Sequence, residues 1–252
     1  MSSFTAATVN LRFDNDSDPF TWAERKLVLK DFIQEKQPDF FGTQEGRQPQ
    51  LYDLAEALKG EYLLVDAHRK YDPARMYPCL FIRKDWKVNY SQDRWLSETP
   101  DVAGSKSFGS RWPKLAVLAE IEQEAESQRL GVASFHFDNE SAQARPEQAR
   151  VLANEVNALL SAESVFLLGD ANDSVDSETL VTLRECGFMD PWADKPAPVT
   201  YHAFGEPEHF ARIDYVLYKS ESFDVAQTFV DNRKENFYSD HYYVSAEFRA
   251  RQ

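Results

Sequence analysis

The feature that most limits what this chain can fold into is a recurrence of short runs rich in β-branched and aromatic residues, separated irregularly by polar turns. Runs at residues 8–13, 40–43, 62–65, 79–83, 115–121, 130–137, 165–168, 213–218 and 242–248 read as strands. Helical spacing is confined to a few segments. From Trp22 to Gln34, Leu29, Phe32 and Ile33 fall on one side, and the segment ends before Pro38. Leu51, Leu54, Ala55 and Leu58 repeat at helical spacing before Gly60, whose access to the left-handed conformation would end the helix. Leu152, Val156, Leu159 and Leu160 repeat it after Pro146, which suits a first helical turn. Many strands with few amphipathic helices predict sheets packed together and flanked by helices.

No internal repeat, low-complexity tract or Gly/Ser linker interrupts the 252 residues, so one domain over 1–252 is expected, with surface loops at Asp72-Pro73 and Pro196-Ala-Pro198. The 18 Phe, 11 Tyr and 5 Trp supply a sizeable core. The opening residues lack the basic start and apolar run of a signal peptide, and no apolar stretch approaches a membrane span. Cys79 and Cys186 have no metal-ligand spacing and fit free thiols in a reducing cytoplasm, the expected location; a disulfide between them is the alternative. The net charge of −14 disfavours general gripping of a long polyanion, although such a charge also serves solubility alone.

Polar residues recur at the ends of the expected strands. Asn10 lies in Asn-Leu-Arg, Glu45 in Gly42-Thr43-Gln44-Glu45, His136 in Ser-Phe-His-Phe, Asp170 and Asn172 in Gly-Asp-Ala-Asn, Asp214 in Ile-Asp-Tyr-Val, and Asp240 and His241 in Ser-Asp-His. Each alone is an ordinary turn former or a satisfied polar group. In this order the set resembles the successive motifs of the endonuclease/exonuclease/phosphatase superfamily, over nearly the whole chain. Together with Trp95-Leu-Ser-Glu-Thr-Pro100, it resembles a bacterial group of metal-dependent hydrolases within that superfamily. The resemblance implies a four-layered α/β sandwich, with two mixed, mainly antiparallel β-sheets inside and helices outside.

It also implies the chemistry. Phosphate-ester hydrolysis needs a cation to neutralise charge, a positioned water and donors for the non-bridging oxygens. Glu45 is the natural hard-oxygen ligand for Mg²⁺ or Mn²⁺, with Asn10 and Asp240 completing or orienting the shell. Asp170 and Asn172 are expected to hold the attacking water or the phosphoryl group, and Gly169 to let the backbone approach closely. His241 would contact a phosphoryl oxygen, with Asp214 fixing its tautomer and raising its pKa, and His136 would be a second donor or general acid. Arg111 and Arg145 are candidates for a second phosphate or the leaving group, against the plainer reading of solvated arginines.

Departures from the group's pattern fall at Ser134, Phe135 and Asn139, where relatives carry Asn-Thr before the central histidine and a second histidine three residues after it. Tyr201, His202 and Phe204 mark either a substrate-side loop or core aromatics, His68 and His209 read as surface residues, and the acidic stretch 120–126 as an exposed turn. The reading favoured is a Mg²⁺- or Mn²⁺-dependent phosphodiesterase or phosphatase acting by direct water attack on a small phosphate ester. A DNA-repair or nonspecific nuclease is the alternative, and a catalytically inactive binding module a remoter one.

Overall fold

Alternation along the first strand, β1 (Ser3–Asn10), sends its side chains into two different cores. Phe4 and Ala6 enter one; Ala7 and Val9 enter the other. The same sorting repeats through the computed structural model, which describes residues 3–123 and 128–251. After β1 come α1 (Trp22–Lys36), β2 (Phe40–Gly46), α2 (Gln48–Ala57), β3 (Tyr62–Leu64) and β4 (Tyr77–Arg83). Then follow β5 (Lys87–Trp95), β6 (Leu115–Gln123), β7 (Gln128–His136), α3 (Ala144–Leu159) and β8 (Val165–Asp170). The chain finishes with α4 (Glu178–Glu185), β9 (Asp214–Lys219), β10 (Phe223–Val230) and β11 (Val244–Ala250).

Among the described residues the strands form a 6-stranded sheet, ordered β10-β11-β1-β2-β4-β3, and a 5-stranded sheet, ordered β5-β6-β7-β8-β9. Pairing is antiparallel except for β1 with β2 and β7 with β8, so both sheets are mixed and mainly antiparallel. The inter-sheet core gathers Phe4, Phe40, Leu80, Val117, Val132, Phe166, Val216 and Phe248. On the outer face of the first sheet, Leu29, Phe32 and Ile33 of α1 and Leu51 and Leu54 of α2 cover Val9 and Phe41. On the outer face of the second, Leu152 and Val156 of α3 and Leu180 and Leu183 of α4 cover Ala133, Phe135 and Leu167. The result is the expected four-layered α/β sandwich. Each such buried side chain contributes about 1.5–3 kcal/mol, whereas an exposed ion pair contributes about 0–1 kcal/mol. The apolar layers therefore hold the sheets together.

Local signals set the helix ends. Thr21 and Glu24 cap α1 reciprocally, the Thr21 hydroxyl accepting from the Glu24 amide and the Glu24 carboxylate from the Thr21 amide. Gln37, left-handed at φ 48°, ends that helix before Pro38. Gly60 does not act as expected: α2 closes at Leu58, whose carbonyl accepts from the Tyr62 amide, and Gly60 is not among the positive-φ glycines. The first strand is displaced from the expected 8–13 to Ser3–Asn10, because Arg12 turns the chain at φ 52°. Residues 120–123 of the expected acidic turn continue β6, and Glu120 accepts from the Ser161 amide; 124–127 lie outside the described residues. Both cysteines are free thiols, Cys79 buried and Cys186 half-buried. No helix among the described residues is long and apolar enough to cross a membrane.

Candidate active site

The inward-facing alternation of several strands terminates in polar residues at one end of the sandwich. β1 ends on Asn10, paired in register with Gln44 of β2; β7 ends on His136 and β8 on Asp170, paired with each other; β9 begins on Asp214, paired with Asp170. Phe166 and Leu168, at i−4 and i−2 from Asp170, lie in the inter-sheet core, so the pleat aims Asp170 between the sheets. Glu45 follows Gln44 and by alternation belongs to the helix-facing side. Its left-handed backbone, φ 61°, breaks the β2 register and brings the carboxylate back toward Asn10. A non-glycine residue in that conformation costs about 1–2 kcal/mol, so the site carries local strain.

Asn10, fully buried, ties the two sheets together here: its Nδ2 donates to Glu45 Oε1 at 3.3 Å and to Asp170 Oδ2 at 3.0 Å. Glu45 Oε2 accepts from the Phe13 amide at 3.3 Å, and Asp170 Oδ1 from the Asn172 amide at 2.8 Å. Asn172, at φ 50°, uses its side-chain amide to hold the Phe137 carbonyl. Beneath this layer the Thr8 hydroxyl donates to Gln44 Oε1, and Gln44 Nε2 reaches Ser134 Oγ at 3.1 Å. The serine that departs from the expected pattern is thus one end of a buried polar stitch between the sheets. Of the other two departures, Phe135 is buried in the core beneath α3 and α4 and Asn139 is exposed.

His241 Nδ1 faces Asp214 Oδ2 at 2.9 Å, and its Nε2 lies 4.0 Å from Asp170 Oδ2 and 3.9 Å from Asp240 Oδ1. The Thr200 hydroxyl oxygen accepts from the Ile213 and Asp214 amides, and Tyr201 packs on the imidazole at 4.8 Å between ring centroids. His136 Nε2 is 3.8 Å from Asp170 Oδ2. Burial alone would pull His241 down, but Asp214, Asp240 and Asp170 outweigh it and raise its pKa to about 10. His136 is driven the other way, well below the usual histidine value, by burial and by the charges of Lys114 and His241. Burial and then the neighbouring Asp214 carboxylate raise Asp170.

The arginines behave differently from the carboxylates. Arg145 pairs with Asp173 at 3.0 Å and donates to the Asp138 carbonyl, so its guanidinium already has partners. Arg111 is 61% exposed and 3.9 Å from Glu140. Its backbone amide and the Ser110 hydroxyl donate to Asp138 Oδ2, which fixes the loop before β6. Lys114 ends that loop, was missed in the sequence, and is buried. Burial draws its pKa down, while Glu45, Asp138, Asp170 and Glu140 oppose this. A lone lysine among apolar neighbours carries no sequence signal of its own. His68, expected at the surface, is half-buried and bridges Ser91 Oγ and Asp93 Oδ1 at 2.9 and 3.0 Å. His202 is buried and stacked on Tyr242, Tyr201 lies against His241, and His209 is exposed.

Glu45, His136 and Asp170 offer ligand atoms within 4.8 Å of one another, and Asp170, Asp214 and His241 form a second such group. Oxygen donors fixed by Asn10 and by backbone amides suit a hard divalent cation, which takes one or two carboxylates and keeps several waters. Asp240 stands outside both groups, beside His241 and 3.8 Å from Arg12 Nε.

Comparison with known proteins adds independent findings. The family model described as the Endonuclease/Exonuclease/phosphatase family matches residues 7–241. A crystal structure of the endonuclease/exonuclease/phosphatase from Bacteroides vulgatus superposes with a TM-score of 0.91 at 24% identity, covering 100% of both chains. The mannosyl-6-phosphatase of Bacteroides thetaiotaomicron gives 0.83 at 27% identity, covering 98% of this chain and 99% of that one. TDP2 of D. rerio, complexed with single strand DNA product, gives 0.77 at 16% identity over 99% and 100% of the two chains, a likeness of fold. No curated protein matches.

Proposed function

The chain belongs to the endonuclease/exonuclease/phosphatase family, and from that premise we propose that it is a Mg²⁺- or Mn²⁺-dependent phosphoesterase, a single catalytic domain hydrolysing small phosphate esters. The observation that carries this reading is the meeting of Asn10, Glu45, His136, Asp170, Asp214 and His241 at one end of the inter-sheet core. Glu45 would hold the cation, with Asn10 aligning its carboxylate beside that of Asp170 and Asp240 completing or orienting the shell. When bound, a divalent cation polarises the phosphoryl group and neutralises developing charge.

The chain's own groups divide the remaining work. Asp170, its proton affinity raised by burial and Asp214, accepts a proton from water as the new P–O bond forms. Asn172 shapes the loop that places that water. His241, held cationic by Asp214, donates through Nε2 to a non-bridging oxygen, and His136, held neutral, serves as a second donor rather than as an acid. The ester P–O bond breaks and the leaving oxygen takes a proton from cleft water, which the proton on Asp170 replaces, so a monoester and water become alcohol and phosphate, and a diester and water become alcohol and a phosphomonoester. Arg111 reaches the outer part of the substrate, and Arg145 steadies the 138–145 loop through Asp173.

The net charge of −14 supports a small ester over long duplex nucleic acid, and two free thiols support a cytoplasmic location. The test is a panel of phosphomonoesters and phosphodiesters assayed with Mg²⁺ and with Mn²⁺. Turnover of none of them by folded protein defeats the proposal.

A further inference from the structure

Among the described residues, Lys114 is a cation without a partner in a site crowded with carboxylates. Its backbone is fixed where the loop meets β6, the carbonyl accepting from the Leu96 amide at 2.8 Å. Its side chain is largely buried, the ammonium keeping an edge on solvent, and the charges that bear on it are those of Glu45, Asp138, Asp170 and Glu140, with His136 feeling its charge in return. Each of those carboxylates is engaged elsewhere. Asp138 accepts from Ser110, Arg111, Glu140 and Ser141; Asp170 from Asn10 and Asn172; Glu45 from Asn10 and Phe13; and Glu140, exposed, faces Arg111. Among the described residues Lys114 Nζ makes no hydrogen bond and no ion pair.

Withdrawing most of an ammonium from water is costly unless something compensates it. A lysine that merely covers apolar surface would run its head out to water, but the head of this one lies in the field of the site's own groups. An incoming anion is the missing partner. Resting on the phosphoesterase reading, we propose that Lys114 binds a non-bridging oxygen of the substrate phosphate and that this contact makes the enzyme prefer phosphomonoesters over phosphodiesters. A monoester is a dianion at neutral pH, with three terminal oxygens to satisfy. A diester is a monoanion with two, which the cation and His241 already serve. Arg111 and Arg145 supply no equivalent charge, the first being exposed and the second held by Asp173.

The test compares wild type, Lys114→Met and Lys114→Arg on p-nitrophenyl phosphate and bis(p-nitrophenyl) phosphate with Mg²⁺, alongside calorimetric binding of inorganic phosphate. Wild type is expected to favour the monoester. Lys114→Met should lose about ten- to a hundredfold in kcat/KM on the monoester, as for loss of a charge-assisted hydrogen bond, with a similar loss of phosphate affinity. Its diester rate should change by no more than about threefold, and Lys114→Arg should keep part of the preference. Equal losses on both esters, undiminished phosphate binding in folded Lys114→Met, or a wild-type preference for the diester overturns the proposal. If Lys114→Met does not fold, an unchanged ester ratio in Lys114→Gln overturns it. Should wild type hydrolyse neither ester, the phosphoesterase reading fails, and the phosphate-binding contrast still decides the role of Lys114.

Discussion

Asp214 and His241, 27 positions apart in sequence, meet through a 2.9 Å contact between Oδ2 and Nδ1 that leaves Nε2 facing Asp170. The imidazole is thereby held protonated well above the usual histidine range, to about 10. A donor with a raised pKa is active below that pKa and lost as pH rises through it. The alkaline limb of kcat/KM should therefore lie near that value in wild type. In Asp214→Asn it should move toward the ordinary histidine pKa of roughly 6.5. Coinciding limbs in the two pH profiles, or a His241 imidazole NMR titration unmoved by the substitution, would contradict the pairing's role.

Glu45 is held off its strand at φ 61° with its oxygens turned to Asn10 and Phe13. Glu45→Gln should weaken Mg²⁺ binding by about tenfold or more and lower turnover, with little change in melting temperature. Calorimetry giving the wild-type Mg²⁺ affinity would remove Glu45 from the ligand set.

The acidic surface bears on substrate size. In one low-salt, Mg²⁺-containing buffer, small phosphate esters should be turned over while plasmid is nicked poorly. Efficient nicking that falls steeply with added salt, beside negligible ester turnover, would promote the nuclease reading.

Gly169 is required by packing rather than by a ligand. A Cβ there would lie 2.2 Å from the Phe135 carbonyl oxygen and 2.8 Å from its ring, on the face away from Asp170. The sequence reading assigned this glycine to close approach of a substrate; the structure gives the space to β7. Gly169→Ala should destabilise the fold by about 1–3 kcal/mol, read by chemical denaturation. Wild-type stability together with weakened phosphate binding would restore the first reading.

What the sequence revealed followed from alternation. Strands buried on both faces stood out as apolar runs, whereas Asn10, His136, Asp170 and Asp214, ordinary polar residues one by one, were recognisable through the order of motifs that resembles the superfamily; the structure then sets them at strand ends, where side chains converge. Of the four edge strands, β3 and β9 kept apolar runs that marked them, and the other two were not legible. β5 and β10 each lie at the rim of a sheet, expose much of their length and carry polar residues such as Asn89, Gln92, Asp224 and Gln227, so they lack the apolar signature. The helix α4 escaped because only Thr179, Leu180, Thr182 and Leu183 are buried over 8 residues. Lys114 escaped because its meaning depends on the partners of Asp138 and Asp170, which only the folded arrangement fixes.

The strand order has a bearing on how the molecule comes together during synthesis. The 5-stranded sheet is one uninterrupted passage of chain, from Lys87 to Lys219, whereas the 6-stranded sheet joins β1 to β11 across almost the whole sequence. Local pairings close early and distant ones late. A nascent chain can thus assemble the sheet bearing His136, Asp170 and Asp214 well before Val244 is available to pair with Thr8. Until then the flank of β1 that β11 will cover stays open, and His241 is absent from Asp214. The candidate site is therefore completed last, and in the interval before it the open edge of β1 is a strand on which other chains can pair.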